Sequence, residues 1–386
     1  MKRYPNLILS FLLLACLVNT NYASIQFVTL SDIHYGKNNS SEDGADSGDL
    51  LLTITMNKMR DLSRNADFIL YLGDLPTHLG GYSPNKAGYE QTVFHSLFAA
   101  NSFKKPMFYI SGNNDPIAGD YQAFKSLGVT PLKYAKEWQG ACLYCDDLII
   151  DKTFMHEYGY YSAYPVRNNK DIILIVLNTT QWIRWHLFMP KYPNQDHDAQ
   201  QQLAWLQKQL QQHHGKQVLI AMHAPPGNDF IGFPFWKSKY LTQFLSILEN
   251  NQKNYGQMTL ITSHTHMDEI RRIQFKNGSA IYGYSTPAIS RIYLNNSGMK
   301  LFSLDEHLKV KDYTTYYTDN AKEWGNDHYH ALEIFPNCQL KSLADCLDGL
   351  SKDEVCSKIE QGLFYGVKSP EVNNKSCRLI YQVPVN

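Results

Sequence analysis

The sequence predicts an α/β layered fold. Six short apolar, β-branched runs each stop at a polar residue: 25–30 before Ser31 and Asp32, 68–72 before Gly73 and Asp74, and 107–110 before Gly112 and Asn113, then 172–177 before Asn178, 218–222 before His223, and 258–261 before His264. Short apolar runs bounded in this way read as strands. Between them runs a helical periodicity, clearest over 198–214. There Leu203, Leu206 and Leu210 recur at three- and four-residue spacing, and Ala199 and Trp205 widen the stripe. Strands that are apolar throughout belong to sheets covered on both faces, and in such sheets reactive groups gather where the strands end.

The chain has 386 residues, enough for one large domain with a smaller one or for two ordinary ones. With 44% hydrophobic and 19% charged residues it has a globular composition and can bury a sizeable core. Lys+Arg and Asp+Glu number 36 each, so the formal charge is zero. No basic field draws in a nucleic-acid duplex or an anionic membrane, and phosphate recognition has to be local.

At the N-terminus, Lys2 and Arg3 precede an apolar run over 7–18, and the small residue Ala23 follows shortly after. This order is that of an export signal over 1–23, too short to span a bilayer, and it predicts a secreted or periplasmic protein. A second reading stays open, because Leu13-Leu14-Ala15-Cys16 also fits a lipoprotein cleavage box, which would leave a lipid anchor on Cys16. No other stretch approaches the ~20 apolar residues of a membrane helix. The six strand-like runs, with two more over 280–284 and 300–304, place a catalytic domain over 24–318. Past Asp312 the pattern turns polar and Tyr-rich, then helical, which predicts a small Cys-containing helical region over 319–386.

If Cys16 leaves with the signal, six of the seven cysteines remain, an even number in an oxidising compartment. Cys142 and Cys145 form a close pair, and Cys338, Cys346, Cys356 and Cys377 cluster in the tail. Structural disulfides are expected over a zinc site or a redox CxxC, since no βαβ context surrounds Cys142 and the tail spacing is irregular. The four tail cysteines leave three pairings open.

Every one of the six strand ends carries a residue able to bind a metal: Asp32 with His34, Asp74, Asn113, Asn178, His223, and His264 with His266. Each alone reads as a capping or solvent-facing residue; together they predict a metal centre. Residues two apart in a strand point the same way, so Asp32-x-His34 and His264-x-His266 can each present two ligands to one pocket, or one to each of two neighbouring ions. Four histidines, two carboxylates and an amide suit two divalent ions with positions left for water and substrate. Two ions roughly 3.5–4 Å apart suit phosphoryl chemistry, in which they hold the attacking hydroxide and neutralise the non-bridging oxygens. Imidazole-rich ligation favours zinc, iron or manganese over calcium or magnesium. No GxxxxGK[ST], GxSxG or HExxH motif occurs, which disfavours nucleotide-driven work and serine hydrolysis.

Asp32-Ile33-His34, Gly73-Asp74, Gly112-Asn113-Asn114-Asp115, His223, and His264-Thr265-His266 resemble the ordered motif set of the calcineurin-like metallophosphoesterases, over about 25–285. Finer matches resemble the acid sphingomyelinase-like phosphodiesterases: Gly73-Asp74-Leu75-Pro76-Thr77-His78, His223-Ala224-Pro225-Pro226-Gly227, Ser263-His264-Thr265-His266-Met267-Asp268-Glu269, and Leu294-Asn295-Asn296-Ser297-Gly298 before a strand. The resemblance implies a four-layer β-sandwich flanked by helices. It also implies one ion on Asp32, His34 and His266, another on Asn113, His223 and His264, and Asp74 as the bridge. Zinc is the family's usual metal. By the same resemblance His78 stands near the leaving group as proton donor, a role imidazolium can fill. The saposin-like domain that precedes the catalytic domain of the sphingomyelinase itself is not expected, since Asp32 follows the signal almost directly.

One position departs from the family pattern. Asn114 stands where the family commonly has histidine, and an amide cannot act as a general acid. Either His78 alone carries protonation, or Asn114 only hydrogen-bonds the phosphoryl oxygens of the substrate. The change shifts weight towards phosphoanhydrides, and Gly-Asn-Asn-Asp also resembles certain endopolyphosphatases of the superfamily. Two aromatic stretches, 182–192 and 230–240, read either as loops packed on the core or as a lip that stacks a nucleobase or dips into lipid. The expected activity is metal-dependent hydrolysis of phosphodiesters or phosphoanhydrides, with nucleotides or phospholipid head groups as substrates. The rivals are a true sphingomyelin phosphodiesterase, an endopolyphosphatase-like enzyme, and a catalytically dead metal-binding surface protein.

Overall fold

The computed structural model describes residues 24–78, 83–184, 192–335, 338, 341–362 and 374–383. The expected export signal with Cys16, and residues 185–191 of the first aromatic stretch, lie outside them. The chain first lays down β1 (Gln26–Leu30), α1 (Asp49–Ser63), β2 (Phe68–Tyr71), α2 (Lys86–Ala100), β3 (Met107–Tyr109) and β4 (Cys142–Leu143). A second set follows: β5 (Ile149–Asp151), α3 (Met155–Tyr158), β6 (Tyr161–Ala163), β7 (Ile172–Leu177), α4 (Gln195–Gln212) and β8 (Gly215–Met222), then α5 (Ser238–Asn251), β9 (Tyr255–Thr262), β10 (Ile270–Gln274) and β11 (Ala280–Ser285). The chain then returns to the first set through β12 (Ser297–Leu304), β13 (Val310–Thr318) and β14 (His328–His330).

Two mixed sheets result. The first has the order β14-β13-β12-β1-β2-β3-β4, and the second, closed by a last short strand β15 (Gln382–Val383), has the order β15-β10-β11-β9-β8-β7-β6-β5. Strands β1, β2 and β3 run parallel, as do β7, β8 and β9, so their C-terminal ends lie along one edge of each sheet. The layering follows from side-chain alternation. On β7, Ile172, Leu174 and Val176 join the buried cluster shared with the first sheet, while Ile173, Ile175 and Leu177 join the cluster of α4 and α5. Leu203, Leu206 and Leu210 of α4 and Phe244 and Leu248 of α5 cover that outer face, and Leu51, Met59, Val93, Phe94 and Leu97 of α1 and α2 pack on the first sheet. The predicted α/β fold is therefore present as helix, sheet, sheet, helix.

Helix α4 begins three residues before the periodicity does, because Asp196 and Asp198 favour the positive end of its dipole. Past Thr318 the tail forms the helices α6 (Ala331–Ile334), α7 (Leu343–Leu347), α8 (Lys352–Gly362) and α9 (Asn374–Ile380), with β14 and β15 as edge strands. Disulfides join Cys142 to Cys145, Cys338 to Cys346, and Cys356 to Cys377. Among the described residues no helix is long and apolar enough to cross a membrane.

Candidate metal centre

Five strand ends meet between the two sheets: β1, β2 and β3 from the first, β8 and β9 from the second. The sixth does not reach the site. Asn178 follows β7, which lies one strand further out than β8, and its side chain caps the next turn through Thr180 N and donates to Tyr158 O. The ligand pairs converge, but not through strand alternation. Asp32, His34, Asp74, His264 and His266 all hold left-handed backbone, with φ of 50°, 47°, 59°, 74° and 64°. Each of these costs free energy in a non-glycine residue and persists only where its surroundings enforce it.

Backbone pairing past the strand ends supplies that enforcement. Asp32 N donates to Gly73 O (2.9 Å), His34 N to Asp74 O (3.1 Å) and Tyr35 N to Leu75 O (2.8 Å). Asp115 is the hub of the Asp74 turn: its carboxylate accepts from Leu75 N, Gly112 N and Tyr109 Oη at 2.7 Å each, and from Asp74 N at 3.2 Å. Gly73 and Gly112 are required by proximity. A Cβ on Gly73 would lie 2.4 Å from Gly112 N, and one on Gly112 would lie 2.0 Å from Asp74 Oδ1.

The side chains form two sets around one carboxylate oxygen. Asp74 Oδ2 lies 3.4 Å from His34 Nε2 and 3.2 Å from His223 Nε2. Asp32 Oδ1 lies nearest His266 Nε2, at 3.5 Å, and 3.8 Å from both His34 Nε2 and His223 Nε2, which puts His266 on the side of Asp32. On the other, His264 Nδ1 lies 3.2 Å from His223 Nε2. The His264-x-His266 pair thus sends one imidazole to each set. Second hydrogen bonds aim the rings: His34 Nδ1 is 3.0 Å from Pro76 O, and His223 Nδ1 is 2.7 Å from Leu72 O. Asn113 Nδ2 donates to Asp120 (2.7 Å), which leaves its carbonyl oxygen for the site.

The donor set fits metal ions. Asp32 Oδ1, His34 Nε2 and Asn113 Oδ1 are buried and without a hydrogen-bond partner, which is costly unless cations take them up. Electrostatics agree. Burial opposes ionisation of Asp32, yet His223, His34 and His266 hold it down at about 2. Burial likewise works against charge on His34 and His223, but the surrounding carboxylates raise them to about 9 and about 10. Burial, joined by repulsion from the charged rings, lowers His264 and His266 to about 3.

His78 lies at the mouth, its ring stacked on that of His34 with centroids 3.8 Å apart. Asn114 donates to Asp74 twice, from its backbone N to Oδ1 (2.8 Å) and from Nδ2 to Oδ2 (3.0 Å). Aromatic rings border the centre: Tyr293 over His266 (4.8 Å), Phe235 by His264 (5.2 Å) and Tyr121 by His264 (6.3 Å). Trp182, Trp236 and Tyr240 are buried, so much of both aromatic stretches packs on the core, while Ile231 and Phe233 stand exposed and Phe235 faces the site. Sequence reasoning gave no role to Asp115, Asp120, Tyr293 or Asp46, the carboxylate against His78. Only Asp115 carried a signal, its place at the end of the Gly112-Asn113-Asn114-Asp115 motif.

A family model described as calcineurin-like phosphoesterase matches residues 25–268. A curated relative, a sphingomyelinase phosphodiesterase D from Dictyostelium discoideum, is 29% identical over 299 residues, covering 72% of this chain and 61% of its own length. The match therefore spans less than two thirds of that relative. Among solved structures, a dimetal phosphatase from Danio rerio aligns over 79% of this chain and 98% of its own, at 14% identity and a TM-score of 0.46. A 5'-nucleotidase from Candida albicans aligns over 87% of this chain and 57% of its own, at 12% identity and a TM-score of 0.44. The matched stretch opens one residue before β1 and closes just beyond His266, so it takes in every side chain of the two sets, and the chain belongs to the calcineurin-like phosphoesterases, enzymes that hydrolyse phosphoric esters.

Proposed function

We propose that the chain is an exported two-metal phosphodiesterase of the acid sphingomyelinase-like branch, acting on phosphodiesters or phosphoanhydrides of nucleotides or phospholipid head groups. Asp32, His34 and His266 would hold one ion, Asn113, His223 and His264 the other, and Asp74 both. The observation that carries this reading is the single Asp74 oxygen within 3.4 Å of one imidazole set and 3.2 Å of the other. When bound, two such ions, of zinc, iron or manganese by the donor chemistry and of zinc by the family's habit, would supply the Lewis acidity that activates water and polarises the phosphoryl group.

The chain's own residues account for the rest. His78 is about one third exposed (35%) and has one ring nitrogen against Asp46, so its other nitrogen is free to protonate the departing oxygen. Asn114 has two Nδ2 hydrogens; one is donated to Asp74, and the second is available to a phosphoryl oxygen. Because that amide holds no transferable proton, substrates with good leaving groups, including phosphoanhydrides, suit the site better than simple alkyl esters. Export is supported by the three disulfides.

The test is hydrolysis of bis(p-nitrophenyl) phosphate by the purified protein as isolated, after chelation, and after zinc is returned. Activity lost on chelation and restored by zinc is expected. A fully zinc-loaded protein that cleaves neither this diester nor a nucleoside triphosphate would sink the reading and leave a dead metal-binding protein.

A further inference from the structure

Asp46 belongs to no motif, yet it is only 6% exposed and accepts hydrogen bonds from four groups. Its Oδ2 accepts from Thr77 Oγ1 (2.8 Å) and from the backbone N of His78 (2.9 Å), and its Oδ1 accepts from Ser290 Oγ (2.7 Å). The fourth is His78 Nδ1, 3.0 Å from both oxygens. Ser290 is itself fixed, since its backbone N donates to Asp32 O at 2.9 Å. The loop that carries Asp46 is pinned as well: Gly44 N donates to Arg291 O (2.9 Å), Arg291 N to Ala45 O (3.2 Å), and Arg291 pairs with Asp43.

These contacts leave the His78 ring little freedom. Stacking on His34 sets its plane, and the carboxylate sets which way round it lies. An ionised carboxylate only accepts, so the nitrogen that faces Asp46 must carry hydrogen, and Nε2 is the nitrogen left for the site.

We propose that Asp46 is a positioning residue for leaving-group protonation: it holds His78 with Nδ1–H on the carboxylate so that Nε2–H points at the departing oxygen. The inference rests on the phosphodiesterase reading. In the step, a water oxygen bonds to phosphorus and gives up a proton to solvent while the bond from phosphorus to the leaving oxygen breaks with its electron pair going to that oxygen. The Nε2 proton passes to that oxygen, and His78 is left neutral while Asp46 stays a carboxylate. A rival role is visible in the same geometry, because one ring nitrogen each from His34, His78 and His266 lies within 4.8 Å of the others. Asp46 would then orient a metal ligand, and metal content separates the two.

The experiment compares the zinc-loaded full chain with its Asp46→Asn variant on the p-nitrophenyl and phenyl esters of methylphosphonate. Bound zinc is measured in each protein, and so are the two single variants and the double variant with His78→Ala. The expected result is a loss of about 10²-fold in kcat on the phenyl ester, a much smaller loss on the p-nitrophenyl ester, unchanged zinc, and no further loss when His78→Ala is added. Equal losses on both esters, zinc loss, or additive losses in the double variant overturn the proposal. Should the variant fail to fold, 15N NMR of His78 in the wild-type protein, assigned against His78→Gln, decides: an Nδ1–H ring supports the proposal and an Nε2–H neutral tautomer overturns it. An active wild type with an unaffected Asp46→Asn variant overturns this inference alone. A zinc-loaded wild type inactive on both esters overturns the phosphodiesterase reading together with it.

Discussion

Replacing Gly112 by alanine tests how tightly the Asp74 carboxylate must be held between the two imidazole sets. The added methyl would lie 2.0 Å from Asp74 Oδ1, 2.7 Å from its Cγ and 2.5 Å from its backbone N, whereas ordinary contact begins near 3.4 Å. The carboxylate would have to retreat by more than an ångström, and it cannot do so while keeping the bonds from Asn114 N (2.8 Å) and Nδ2 (3.0 Å). Hydrogen bonds to a charged group are worth about 1.5–3 kcal/mol each, so the fold should lose roughly 3 kcal/mol or more. A misplacement of about 1 Å at a reacting centre costs on the order of 10²-fold in rate. The control is Gly88→Ala on α2, where the new methyl meets nothing within 4 Å and should stabilise by about 0.5–1 kcal/mol. Turnover of bis(p-nitrophenyl) phosphate, bound zinc and urea unfolding are measured on both variants. A Gly112→Ala protein with at least half the wild-type rate and full metal would show that Asp74 has room to move at no cost to the site.

Asp74→Asn should abolish most turnover and lower metal occupancy, because the one carboxylate between the two imidazole sets loses its charge; elemental analysis beside the rate assay checks both. Asn114→His should raise the rate on alkyl phosphodiesters relative to p-nitrophenyl ones, and an unchanged ratio would contradict the account of this departure. Lys300→Met leaves the buried Asp268, which Lys300 meets at 2.5 Å, with Thr315 and Tyr329 as its donors among the described residues; a stability loss of about 3–5 kcal/mol is expected by urea unfolding. In the metal-free protein the contribution of the four site histidines to stability should peak near pH 6.5. Below that, unfolded His264 and His266 bind protons that the fold, holding them at about 3, refuses. Above it, His34 and His223 hold protons up to about 9 and about 10 that the unfolded chain has released, so stability again falls. A melting temperature flat from pH 5 to 10 after chelation would contradict this.

The strands that carry the site were legible because they are apolar on both faces and stop abruptly at His, Asp or Asn. Which of them are neighbours was not. Asn178 ends its strand as His223 does, but β7 lies outside β8, a fact of sheet order that spacing does not encode. Strand β13 was hidden by its composition: Val310–Thr318 reads as polar and Tyr-rich, yet Tyr313 and Thr315 are buried. Its partner β12 buries Lys300, whose ammonium meets Asp268. The convergence of Asp32 with His34, and the division of His264 from His266, arise from left-handed turns that no periodicity reports. Asp46 was illegible for a further reason. Its contacts lie 32 residues away at His78 and 244 residues away at Ser290, and nothing near it in sequence marks it out.

The most direct test of the central claim is a crystal structure of the zinc-loaded protein with anomalous scattering measured at the zinc edge. Two peaks are expected roughly 3.5–4 Å apart with an Asp74 oxygen between them, one beside Asp32, His34 and His266, the other beside Asn113, His223 and His264. A single peak, or two peaks that do not share Asp74, would contradict it.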